Sequence, residues 1–369
     1  MGSRSNRPRI EAACVRSPDR FAFALFDGTV GEEPFTALIT YDGTQPQPWS
    51  RYDIPRFVAA IGVVGSSSPL DLEGADYAVL SENGDLYFVG NGVENGIVHE
   101  AIPFLPDHDD DPPRYGTLIP SSTIGAVVAG DQVMIRSDRD WRANMPDWNG
   151  ETAYYPPTWN AFVGSAGDIL LAGERRPSLQ SIWVRPGDPQ WRENMPYEEK
   201  YTIQQQRRRA LAEKEPEYQL HLWHEGKWNK LSLALRSLPI ASHADDGGMW
   251  LVGANGLILE RNDVNRFRDR SFKGDREKFL IGITRHEDQL VIASDRALFQ
   301  FNGHILEPFE PKVRVTSEPY ALSPSHVESV DGVLMLFDYN QRIHRFVDSE
   351  WSEVSIPPEL LERDFTGLQ

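Results

Sequence analysis

The feature that most restricts what this chain can fold into is a recurring pattern. A short apolar run is followed by a tight turn built on Gly, Asn or Asp, and then by a second apolar run. Met249-Trp-Leu-Val-Gly253, Ala254-Asn-Gly256 and Leu257-Ile-Leu-Glu-Arg261 give the clearest instance. An Asn-Gly pair between two such runs is a strong hairpin signal, because both central positions of the turn take positive φ, which Asn and Gly tolerate. The same pattern surrounds Gly84, Gly130, Gly167, Asp288 and Gly332. Runs this short, bounded so often by turn residues, predict strands and exclude a helical bundle.

Taken as anchors, Gly84, Gly130, Gly167, Gly248, Asp288 and Gly332 are spaced by 46, 37, 81, 40 and 44 residues. A further unit fits residues 10–55, with its turn near Asp19, 65 residues before Gly84. A period of about 40–50 residues with four strands in each unit is that of a propeller blade. By this repeat pattern the chain resembles the β-propeller superfamily over most of its length. Its repeats lack the Gly-His and Trp-Asp landmarks of WD40 blades and a regular kelch Gly-Gly. The resemblance implies an all-β fold, a single β-propeller of seven blades, with six as the alternative. The expected propeller spans 10–360, between a disordered tail at 1–9 and a C-terminal tail at 361–369. Two β-sandwiches are the competing architecture and would show less regular units. Trp-Arg-x-Asn-Met-Pro occurs at both 141–146 and 191–196 and reads as a second mark of the period, at equivalent blade positions.

One segment breaks the β pattern. Residues 197–215 contain no Gly or Pro, are rich in helix formers and are halted by Pro216. Tyr201, Gln204, Arg208 and Leu211 share a face with a thin apolar stripe, which predicts a surface helix and not a core element. Residues 197–216 are therefore read as a helical insertion within blade 4, whose outer strands resume near Tyr218 and Lys227.

Charge narrows the partner. The chain carries 37 Lys and Arg against 55 Asp and Glu, a formal charge of −18. Nucleic acid and anionic membranes, both polyanionic, would be repelled, whereas a basic protein would be drawn in. Apolar residues at 40% suffice for a core. The single cysteine, Cys14, permits no intramolecular disulfide and no multi-cysteine metal site. A polar N-terminus without an apolar run points to a soluble, cytoplasmic protein.

No motif carries chemistry. Asp107, Asp109, Asp110 and Asp111 lie in a proline-bounded loop, but a calcium loop starting at Asp107 needs Gly at position 6 and Glu at position 12, where the chain has Pro112 and Leu118. His221 and His224 fall on opposite faces of a strand and cannot share an ion. There is no Gly-x-Ser-x-Gly elbow, and 89–96 is Gly-rich without the Lys-Ser/Thr of a phosphate loop. No catalytic residue, metal or cofactor is assigned. The four aspartates are instead read as an acidic docking patch. Trp141, Trp148 and Trp191, with Arg207 and Arg208, have the composition of interface hot spots, although core packing for the tryptophans and a solvated face for the arginines are the plainer alternatives. The functional expectation is a non-enzymatic protein-binding module that engages a basic partner. Its most concrete form is an inhibitor similar to the cytoplasmic immunity proteins that neutralise bacterial toxins. The alternatives are a metal-dependent hydrolase of the propeller lactonase type, with an ion on the axis, and an assembly scaffold.

Overall fold

The computed structural model describes all residues except 1–7, 27–34, 66–69, 71–73, 104–112, 121, 123, 138–139, 149–156, 165–166, 177–183, 185, 187, 213, 247, 264–265, 276, 314–320 and 362–369. The described strands pair in chain order into seven antiparallel sheets of four. Blade 1 is β1 (Arg9–Ser17), β2 (Arg20–Phe26), β3 (Thr36–Asp42) and β4 (Trp49–Ile54); blade 2 is β5 (Val58–Val63), β6 (Tyr77–Ser81), β7 (Asp85–Val89) and β8 (Ile97–Ala101). Blade 3 is β9 (Tyr115–Ile119), β10 (Ala126–Gly130), β11 (Val133–Ser137) and β12 (Asp140–Ala143); blade 4 is β13 (Thr158–Val163), β14 (Ile169–Arg175), β15 (Glu217–His224) and β16 (Lys227–Lys230). Blade 5 is β17 (Pro239–Asp245), β18 (Gly248–Gly253), β19 (Leu257–Asp263) and β20 (Arg266–Asp269); blade 6 is β21 (Leu280–His286), β22 (Gln289–Ser294), β23 (Leu298–Phe301) and β24 (Leu306–Pro308). Blade 7 is β25 (Pro324–Val330), β26 (Val333–Asp338), β27 (Arg342–Val347) and β28 (Glu350–Val354).

The first strand of each blade touches the first strand of the next, and β25 returns to β1, so the seven sheets form a closed ring about an axis. Two β-sandwiches are excluded, as is a six-bladed ring. Each second strand has both faces covered by neighbouring blades, which is why it reads as a continuous apolar run and not as an alternation. All of β6 and β14 is buried. Polar residues gather on the fourth strands, the outer rim of the ring.

An even number of antiparallel strands per blade makes all the inner strands run the same way. Connections therefore sort into two sets. Those between second and third strands, and those from blade to blade, gather at one end of the ring, here called the loop end. Those between first and second, and between third and fourth strands, gather at the other, the turn end. This sorting explains the short interval of 37 between Gly130 and Gly167, whereas the 81 between Gly167 and Gly248 comes from the long connection between β14 and β15. Gly84 and Gly130 adjoin second-to-third-strand turns, whereas Gly167, Gly248, Asp288 and Gly332 adjoin first-to-second-strand turns. The blade count survives because each blade supplies one dominant hairpin signal. At Asn255 and Gly256 the turn takes φ of 56° and 62°. A Cβ on Gly256 would also lie 2.2 Å from the Asp275 carbonyl oxygen, so glycine is required there twice over.

The repeated hexapeptide does not mark equivalent positions. Its first copy lies on β12 and in the connection that follows; its second lies in the long connection between β14 and β15, just before helix α1 (Tyr197–Ala212). The expectation of equivalence fails because the second copy belongs to the excursion and to no blade strand.

The ring closes without strand exchange: blade 1 is built wholly from the N-terminal segment and blade 7 wholly from the C-terminal one. Their seam is held by side chains. The Val15 N–H donates to Glu328 Oε2 at 2.9 Å, Gln341 Nε2 donates to the Pro8 carbonyl at 2.6 Å, and Arg345 donates to the Pro18 carbonyl. The Arg345 guanidinium also lies 5.9 Å from the Phe21 ring and 5.7 Å from the Tyr41 ring. The short helix α2 (Pro358–Leu361) then packs Leu360 and Leu361 on the blade 1–blade 7 core, and Arg51 Nη1 donates to the Leu360 carbonyl at 3.0 Å.

Candidate partner-binding face

Long connections concentrate at the loop end. By strand order, the connections 102–114, 144–157, 176–216, 270–279 and 309–323 join strand ends at that side, and 64–76 joins strand ends at the turn end. Rigid blades beneath variable loops are the usual platform for recognition. The largest of these excursions, in blade 4, carries α1. Glu198 and Glu199 in the first turn and Arg209 in the last suit the helix dipole.

The excursion is pinned by a bidentate ion pair. Arg207 Nη1 and Nη2 donate to Asp188 Oδ2 and Oδ1 at 2.5 and 2.9 Å, and Nη2 also donates to Gln190 Oε1 at 2.6 Å. The Gln190 N–H donates to Asp188 Oδ1 at 2.8 Å. Arg192 reaches Glu199 across the start of the helix. The Arg207 hydrogen bond, and after it the Gln190 N–H, hold the Asp188 carboxyl down to about 2, from an ordinary 3.8. A depressed carboxyl stabilises only while ionised. The helix anchor is therefore expected to be complete above pH 4 and to weaken as pH falls through about 2. In a carboxyl-detected NMR titration Asp188 should show its midpoint near 2, and Arg207→Gln should move it up toward the ordinary value. An unchanged midpoint in the variant would break the assignment.

Packing also corrects which helix face is turned inward. Half-buried Ile203, Arg207 and Leu211 form the inner stripe, while Tyr201 and Arg208 face solvent. Tyr197 is 78% exposed and Tyr201 50% exposed, with ring centroids 6.1 Å apart and planes 23° apart. One turn apart on a helix, these rings stack on each other, and neither is covered by a blade. Sequence reading missed this pair. The signal that could have found it is two aromatics at i and i+4 on a helix too polar to bury either.

The tryptophans named from sequence occupy different places. Trp141, on β12, is half-buried; its Nε1 donates to Glu100 Oε1 at 2.9 Å while Arg136 Nη1 donates to Glu100 Oε2 at 3.0 Å, so it ties blade 3 to blade 2. Trp148 lies 5.4 Å from Trp159 between blades 3 and 4, under the Arg175 guanidinium at 5.8 Å, and its Nε1 donates to Glu217 Oε2 at 3.3 Å. Trp191 is half-buried within the excursion, three residues after Asp188. Of the named arginines, Arg207 is engaged with Asp188 and Arg208 is exposed. Asp107, Asp109, Asp110 and Asp111 lie outside the described residues.

A second polar group surrounds the axis near the turn end. His243 Nε2 lies 3.1 Å from Asp245 Oδ2, which Arg285 of the next blade also contacts. His326 Nε2 lies 3.1 Å from Glu328 Oε2, the acceptor of the Val15 N–H. These groups satisfy one another from blade to blade, which makes them a clamp on the ring. Among the described residues no three His, Cys, Asp or Glu side chains come together to hold a metal ion, and no helix is long and apolar enough to cross a membrane. Cys14 is buried, and its thiol is pushed up well above the ordinary range by burial and then by Glu328, the opposite of what a nucleophile needs.

No protein-family model and no curated protein matches the chain in sequence. Solved structures match its architecture. YCF48 from Cyanidioschyzon merolae is 8% identical with a TM-score of 0.56, over 93% of this chain and 96% of that one. The WD40 β-propeller domain of Doa1 is 12% identical with a TM-score of 0.52, over 95% and 94%. The computationally designed protein Ika8 is 11% identical with a TM-score of 0.50, over 95% and 86%. Identities this low carry the fold alone, and the fold that strand pairing and these likenesses agree on is a seven-bladed β-propeller.

Proposed function

We propose that the chain is a protein-binding propeller whose partner seats on the loop end, over the blade 4 excursion. The observation that carries this reading is the solvent-exposed Tyr197–Tyr201 stack on a helix anchored by Arg207 and Asp188. Burying two preordered aromatic rings costs little side-chain entropy and removes much apolar area from water, the usual make-up of an interface hot spot. The formal charge of −18 favours a basic partner and faster encounter at low salt. Inhibition of such a partner, in the manner of an immunity protein, is the narrower form; weak binding of several partners, as in a scaffold, is the other.

The test compares affinity capture by the unmodified chain, by Tyr197→Ala/Tyr201→Ala and by the turn-end control Asp331→Ala. Removing a hot-spot pair should weaken binding by at least about 2 kcal/mol, or roughly thirtyfold, with the control unaffected. A partner retained equally by all three would remove the loop end from consideration. The inhibitor form further requires that a stoichiometric amount of the chain abolish the captured partner's activity.

A further inference from the structure

The connection from blade 5 to blade 6, residues 270–279, leaves two phenylalanines open to solvent. Phe272 is 48% exposed and Phe279 is 46% exposed. Large apolar rings kept in water forgo the hydrophobic gain of burial. Two of them on one connection have the make-up of a recognition surface.

The backbone that presents them is held from both neighbouring blades. The Asp275 N–H donates to the Phe272 carbonyl at 3.0 Å, and the Lys278 N–H donates to the Asp275 carbonyl at 2.9 Å. The Gly256 N–H of the blade 5 turn donates to the Lys278 carbonyl at 2.8 Å. On the other side, the Asp295 N–H of blade 6 donates to the Phe279 carbonyl at 3.2 Å. Lys278 Nζ bonds Asp275 Oδ1 at 2.6 Å and lies 5.3 Å from the Phe299 ring. The Phe272 ring itself rests over Gly274, where an added Cβ would come within 2.6 Å of it. Binding to such a preordered surface has little loop entropy to overcome.

Charge around the rings runs against that of the whole chain. Residues 266–279 hold six Lys and Arg against three Asp and Glu, whereas the full chain holds 37 against 55. Of the three acids, Asp275 is buried and bonded to Lys278, and Asp269 accepts the Ser271 N–H at 2.8 Å. Glu277 is exposed, and against it stand exposed Arg268 at the end of β20 and Arg296, 88% exposed, 3.5 Å from Asp295. At physiological salt a charge acts over about 8 Å. A short segment therefore meets the local sign, while a nucleic-acid strand would run on into the acidic remainder of the surface.

We propose that the blade 5–6 connection is a second docking site, for a short acidic segment of a partner protein that carries apolar side chains. Those side chains pack on Phe272 and Phe279. Flanking carboxylates meet Arg268 on the blade 5 side and Arg296 on the blade 6 side. The site does not depend on the Tyr197–Tyr201 face.

The test is NMR titration of the full chain with the octapeptide Glu-Asp-Leu-Glu-Glu-Phe-Asp-Glu. The Phe272, Phe279 and Asp295 amides should shift saturably, with a Kd below about 1 mM. The same peptide with Lys at every acidic position should not shift them. Phe272→Ser/Phe279→Ser, at two half-exposed positions, should weaken the acidic peptide at least about tenfold. Arg268→Glu/Arg296→Glu changes two exposed residues, should leave the folded spectrum intact and should weaken the peptide by a similar factor. Tyr197→Ala/Tyr201→Ala should leave its affinity unchanged; an equal loss there would show that the site is not separate from α1 and overturn the proposal. No saturable shift, an equal response to the Lys peptide, or undiminished binding in both patch variants would also overturn it. Single-stranded oligothymidylate shifting the same amides at lower concentration than the peptide would assign the patch to nucleic acid instead.

Discussion

Phe337→Ala is expected to destabilise the propeller by about 3–5 kcal/mol, the cost of deleting a fully buried aromatic side chain and leaving its cavity behind. Phe337 is 0% exposed on β26, 5.8 Å from Phe21 in an edge-on contact and 6.2 Å from Phe23. These rings join blade 7 to blade 1, where the ends of the chain meet and no strand crosses from one blade to the other. The seam is held by packing, side-chain hydrogen bonds, the Arg345 contacts with Phe21, Tyr41 and Asp19, and α2, so damage there should loosen the ring locally as well as lower its overall stability. Two readouts separate these effects. The denaturant midpoint should fall, and the Val15 amide, bonded to Glu328 across the seam, should exchange faster while amides of β14 in blade 4 change less. A loss under about 1 kcal/mol would mean that the seam is not a principal joint.

Trp159→Ala should cost a similar amount, about 3–5 kcal/mol, but on the opposite side of the ring. Trp159 is 1% exposed on β13 and packs between blades 3 and 4, edge-on to Trp148 at 5.4 Å and to His221 at 5.5 Å. Blade 4 is shaped around this side chain: a Cβ on Gly173, its cross-strand partner, would lie 2.5 Å from the Trp159 ring and 2.6 Å from the Trp148 ring. The substitution also has a spectroscopic signature. Burial, and after it the charge of Lys230, holds the His221 pKa down to about 4. Opening the Trp159 site to water should raise it toward the ordinary 6.5. For a histidine with a depressed folded pKa the unfolded chain takes up the proton first, so stability falls as pH drops below about 6.5, and this acid loss should be smaller in the variant. A His221 titration unmoved by Trp159→Ala would contradict the packing described.

These residues show how much was legible beforehand. Apolar runs broken by Asn-Gly and Asp-Gly turns are local signals, and they were enough to give a seven-bladed ring and to place a helix inside blade 4. Strand register within a blade was not legible, because a hairpin between first and second strands looks the same in sequence as one between second and third; Gly84 and Gly167 differ only in which end of the ring they adjoin. The tryptophans of blades 3 and 4 admit both an interface and a core-packing reading, and Trp141 and Trp148 are committed to contacts between blades. Composition alone does not separate an inter-blade aromatic from an interface aromatic, since both sit near Arg and Asn. The same limit applied to Arg207 and Arg208, adjacent in sequence, of which one is held by Asp188 and the other is exposed. Helical phase decided between them, and phase depended on which thin stripe the blade would cover.

Site-specific photo-cross-linking tests the loop-end assignment most directly. p-Benzoylphenylalanine at position 201, on the exposed face of α1, should cross-link the partner with high yield. The same group at position 331, in an exposed turn at the other end of the ring, should give none above background. Cross-links from position 331 and none from position 201 would move the partner to the turn end and contradict the binding face proposed above.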